Sequence, residues 1–174
     1  TSLQRIGVSA VVALGVAIAG QAHAAVETGA AINVIAPDPD HYAGTGFTLG
    51  FKFSLKSNAR VTSLGVFDLD RDGLSDAAQV AIWNATTSDL LISATIQSGP
   101  AVDLDGYFRY VDIVPTFSLV AGTQYVIGAY TRSQASSLFT DQNPGGTGST
   151  HPNLVLLGDA ITTGNSLAFP GTSD

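Results

Sequence analysis

The 174-residue chain contains no cysteine and no methionine, one tryptophan and only seven lysine or arginine residues. Each shortage removes a class of explanation. Without cysteine there are no disulfide staples, no thiol nucleophile and no Cys-based metal site. Seven basic residues against fourteen acidic ones give a net charge of −7, and a surface so poor in cations cannot neutralise phosphates or bind anionic lipid. Nucleic acid is therefore excluded as an expected partner. Glutamate is nearly missing as well, since Glu27 is the only one. No long stretch carries a helical apolar period, which leaves strands as the expected building element.

Residues 1–24 read as a secretory signal peptide. Arg5 supplies the positive start, residues 6–19 form an Ala/Val-rich apolar core, and Ala22-His23-Ala24 offers the small-x-small cleavage pattern. That core is too short to span a bilayer, which takes about 20 residues. Cleavage would leave residues 25–174 as a single domain with no membrane span. Losing Arg5 leaves six basic against fourteen acidic side chains, a mature charge of −8. The expected location is outside the cell, either secreted or at the cell surface.

After Ala25 the dominant period is two. In Phe47-Thr48-Leu49-Gly50-Phe51-Lys52-Phe53-Ser54-Leu55 large apolar residues alternate with small or basic ones, as in a half-buried antiparallel strand. Further strands are expected at 31–36, 61–68, 79–83, 90–97, 107–114, 125–131, 153–157 and 166–169, with at most one helical turn at 76–79. Eight or nine short strands separated by turn signals predict an all-β antiparallel sandwich or jelly roll. Residues 133–152, rich in Gly, Ser, Thr and Pro, read as a long loop; with Asp141, Asn143 and His151 it forms a second candidate binding surface. Gly122 and Tyr125 predict a tight turn followed by a buried tyrosine whose hydroxyl bonds nearby backbone.

The densest chemistry lies between 61 and 83. Asp68, Asp70 and Asp72 occupy alternate positions, Gly73 follows, and Asp76 comes three residues later. This matches the opening of a calcium loop, in which alternate carboxylates turn inward and glycine allows the bend. The bidentate glutamate that such loops require is replaced by Gln79, and the flanks read as strands, so an EF-hand is excluded. Asp68, Asp70, Asp72 and Asp76 are the candidate metal ligands, with Ca2+ as the ion. The other expectation is a polar turn in which Arg71 offsets the crowded charge.

Catalytic constellations are sparse. No G-x-S-x-G elbow occurs, and only His41 and His151 remain as bases outside the leader. The two histidines lack metal-ligand spacing, and the glycines at 145, 146 and 148 lack the lysine of a phosphate loop. The expectation is a non-enzymatic protein.

The string S-L-G-V-F-D-x-x-x-D-G-L-S-D-A-A-Q-V-A-I-W, the segment F-S-L-V-A-G-T-Q-Y-V-I-G-A and the closing N-S-L-A-F-P together resemble the β-sandwich ectodomains of exosortase-sorted (PEP-CTERM) secreted bacterial proteins. The resemblance spans roughly residues 46–170. It implies export to the surface or extracellular matrix of a Gram-negative bacterium, with no established enzymatic activity. The C-terminal sorting signal that defines that class is absent from this chain.

Three functions follow as expectations. The first is a structural or adhesive surface protein that assembles with copies of itself, as a homo-oligomer or filament, through sheet edges or an exchanged strand at 25–36. The second is a calcium-stabilised carbohydrate-binding module for extracellular polysaccharide, which requires Trp83, Tyr107 and Tyr110 to be exposed. The third is an extracellular hydrolase built on His151 and an aspartate.

Overall fold

The computed structural model describes residues 31–36, 46–130, 132 and 147–172. The expected leader at 1–24, and with it the first half of the 25–36 exchange segment, lies outside the described residues. So do His41, Asp141, Asn143 and most of the 133–152 stretch.

Every described regular element is a strand. In chain order they are β1 (Ile32–Ala36), β2 (Phe47–Leu55), β3 (Ala59–Phe67), β4 (Ala78–Asn84), β5 (Leu90–Ile96) and β6 (Leu104–Asp105). They continue with β7 (Phe108–Leu119), β8 (Tyr125–Tyr130), β9 (Thr147–Thr150), β10 (Leu154–Thr163) and β11 (Gly171–Thr172). A six-stranded sheet runs β11-β10-β2-β8-β4-β5, a three-stranded sheet runs β3-β7-β6, and β1 pairs with β9. All pairings are antiparallel. The all-β sandwich expected from the period-two pattern is the fold.

The alternation in β2 works as the pattern predicts. Leu49, Phe51, Phe53 and Leu55 are buried in the interior, where Phe53 packs on Tyr125 with ring centroids 5.7 Å apart. The three-stranded sheet contributes Val61, Leu64, Val66 and Leu119, and the first strand adds Val34. Burying each such side chain is worth about 1.5–3 kcal/mol, and this is the main support of a chain without disulfides. Tyr125 and Gly122 behave as expected too. The Val120 N–H donates to the Tyr125 hydroxyl at 2.9 Å, and Gly122 holds φ at +76°.

Three local expectations are corrected. Thr147–Thr150 is strand β9 rather than loop, because β1 supplies a partner backbone for residues with little apolar pattern of their own. Residues 166–169 form no strand; their apolar side chains pack on a sheet instead of pairing within one. Residues 76–79 make no helical turn, and Ala78 already begins β4.

One irregularity marks the smaller sheet. Val61 pairs with Phe117 while Ser63 pairs with Asp112, so residues 113–116 bulge from β7 opposite the single residue Thr62. The fully buried Ser63 lies beside this break, and its hydroxyl has no hydrogen-bond partner among the described residues.

Candidate functional site

β3 ends at Phe67, and ten residues of turn and bend lead to β4 at Ala78. Asp68 stands at the entry. Its N–H donates to the Tyr107 carbonyl at 2.7 Å, which ties the loop to the start of β7. Its carboxylate is buried and filled: Oδ1 accepts the Arg71 N–H at 3.0 Å, and Oδ2 accepts the Gly73 N–H at 3.1 Å. Oδ2 also accepts Arg109 Nε at 2.7 Å. This is an aspartate turn closed by a buried cation.

Arg109 does more than balance charge. Its Nη1 donates to the carbonyls of Pro100 and Val102, each at 2.8 Å, and Nη2 donates to that of Arg71 at 2.7 Å. One guanidinium thus joins the 68–73 loop, the 100–102 segment and β7. Its planar fork of donors suits this task, where the point charge of a lysine would not. Burying both ions carries a large desolvation cost, which these hydrogen bonds offset.

Arg71, the expected neutraliser, has another role. It adopts φ +60°, gives its backbone N–H and C=O to Asp68 and Arg109, and lays its guanidinium 4.8 Å from the Tyr107 ring centroid. Tyr107 in turn stacks on Phe67 with centroids 5.8 Å apart. Gly73, at φ +120°, lets two backbones meet: a Cβ there would lie 2.5 Å from the Gly99 carbonyl carbon. Beside it Leu74 bridges Gly99, whose N–H donates to the Leu74 carbonyl at 2.7 Å.

The four candidate ligands are not gathered. Asp68 turns inward to Arg109, Asp70 and Asp72 are exposed, and Asp76 is half-buried. Among the described residues no group of three or more His, Asp or Glu side chains is arranged to hold a metal ion. What the loop does hold, in chemical terms, is its own backbone.

The aromatic residues needed by a sugar platform are also committed elsewhere. Trp83 and Tyr110 are buried, and half-buried Tyr107 lies between Phe67 and Arg71. Burial, and after it the nearby Asp105 carboxylate, pushes the Tyr110 hydroxyl far above the ordinary tyrosine range, so it stays protonated. Half-buried His151 makes structural contacts. Its Nδ1 accepts the Asn153 N–H at 3.1 Å, and its own N–H donates to the Ala31 carbonyl at 2.8 Å. Asn153 then clamps the turn after β2: Oδ1 accepts both Ser57 N–H and Ser57 Oγ, while Nδ2 donates to the Ser57 carbonyl.

Arg109 and Asn153 organise their surroundings without belonging to any sequence motif. A signal for Arg109 did exist, because a charged residue between Phe108 and Tyr110 must find a counter-charge if both neighbours are buried. No family model, no curated protein and no solved structure was found to match this chain.

Proposed function

We propose that this chain is an exported structural or adhesive protein of the cell surface or extracellular matrix, acting through its surfaces and its association with copies of itself. One observation carries the reading. The residues with the richest polar chemistry — Asp68, Arg109, Tyr110, His151 and Asn153 — all engage groups of the protein itself. A reactive centre keeps such groups poised toward a substrate; here each is engaged by a neighbour in its own part of the fold. The signal-peptide pattern of residues 1–24 and the likeness to exosortase-sorted ectodomains support export. The burial of Trp83 and Tyr110 removes the main support for a carbohydrate-binding module.

The test has two arms. Fractionation of producing cells should find the mature chain in the medium, at the surface or in the matrix. Light scattering over a wide concentration range should find oligomers above the monomer mass. A chain retained inside the cell and monomeric at every concentration contradicts the proposal.

A further inference from the structure

The six-stranded sheet buries residues on both faces, and only one face is the sandwich interior. Ala81, Trp83, Val126, Tyr130 and Ala160 are buried yet stand apart from the interior cluster. Their positions explain this: they alternate along their strands with interior residues such as Val80, Ile82, Ile127 and Ala129, so they point the other way. Across that outer face runs a row of small residues paired in register, Ala81 to Gly128 to Gly50 to Ala160. A side chain is shut out at its Gly50 position. A Cβ on Gly50 would lie 1.8 Å from the Ile127 oxygen.

Residues 167–170 lie over this face, and each of three successive residues has a specific receptor. The Ala168 N–H donates to Oγ1 of the buried Thr48 at 3.1 Å. The Phe169 ring stands edge-on to Trp83, with centroids 6.1 Å apart at 85°. The buried Pro170 occupies the space left by Gly128, its Cγ 3.0 Å from where a Cβ would be. An aromatic anchor, a side-chain bond to peptide backbone and a glycine slot for a proline make up a built peptide groove.

Its occupant is lightly tied. After Thr163, the last residue of β10, residues 164–166 are exposed, with the Gly164 N–H donating to the Gly46 carbonyl at 2.8 Å, and beyond the groove the segment is fastened by β11, two residues paired with β10. Few backbone bonds and an exposed connection are the marks of a segment that opens locally at low cost.

We infer that this groove is an exchangeable site whose second occupant is the same Leu-Ala-Phe-Pro segment of another copy of the chain. The contacts in the exchanged arrangement repeat those within one chain, so exchange requires only rearrangement of the exposed connection and the entropy of association. The inference rests on the self-assembly reading above and names its surface.

Trp83 is the sole tryptophan, so its fluorescence reports occupancy directly. In the full chain, Phe169→Ala should red-shift the Trp83 emission while the far-UV circular dichroism stays unchanged. A synthetic peptide of residues 163–174 should reverse the shift saturably, and the same peptide with Phe169→Ala should not. Thr48→Val, which removes the bond to Ala168 but keeps a branched side chain, serves as a second variant should Phe169→Ala fail to fold. Oligomers of the native chain should be lost in either variant. No saturable response to the peptide overturns the groove. Oligomers that persist in both variants overturn the exchange and leave assembly standing, whereas a chain monomeric throughout overturns both.

Discussion

Asp68 and Arg109 lie 41 positions apart in the chain, and their side chains meet at 2.7 Å in a buried ion pair. Around that contact the aspartate-rich loop, the 100–102 segment and the head of β7 are drawn together. The loop that looks most like a ligand site is thereby a fastening between two sheets' connections.

Removing one partner leaves an uncompensated buried charge, which costs about 3–5 kcal/mol. Arg109→Met should therefore destabilise the chain by that amount in urea unfolding, and Asp68→Asn by a comparable one. The double variant Asp68→Asn, Arg109→Met should lose less than the two single losses added together, because the residues act as one unit. Simple additivity would mean that the pair contributes nothing of its own.

Gly73 and Gly99 allow a controlled comparison. Both have positive φ, but only Gly73 faces a backbone where a Cβ would go. Gly99→Ala should cost about 1 kcal/mol through backbone strain. Gly73→Ala adds the collision with the 99–100 peptide and should cost at least about 3 kcal/mol. Chemical denaturation of the two variants side by side measures the difference.

Ser63 offers a gain. Its hydroxyl is fully buried without a partner among the described residues, and such a group costs roughly 1–3 kcal/mol. Ser63→Ala should raise stability by about 1 kcal/mol, read as an increase in Tm of about 2–4 °C. A lower Tm would mean that packing around Oγ outweighs its unmet hydrogen bond.

Much of this architecture is legible in the residues, and the exceptions have physical causes. The β2 alternation, the Gly122 turn and the Tyr125 hydroxyl bond are local or nearly so, and local pattern predicts them. β9 is not legible, because Thr147-Gly148-Ser149-Thr150 becomes a strand only when β1 offers its backbone. The 166–169 segment misleads in the opposite direction: Leu167 and Phe169 alternate like strand residues, yet Phe169 packs on Trp83 across the outer face. In the aspartate loop the motif was readable and its partner was not. Spacing presents Asp68, Asp70, Asp72 and Asp76 as equals, whereas the fold gives Asp68 alone a cation, from another strand.

The central claim is that Arg109 closes the aspartate loop. The most direct measurement is thermal unfolding of the full chain in EDTA and in about 1 mM calcium, beside an Asp70→Ala, Asp72→Ala variant. A site with a dissociation constant of about 100 µM would add about 1.4 kcal/mol under those conditions. With the Asp68 oxygens already engaged and Asp70 and Asp72 turned to solvent, the native chain should melt at the same temperature in both buffers. A rise in Tm with calcium that the variant abolishes would contradict the account and make the loop a metal site.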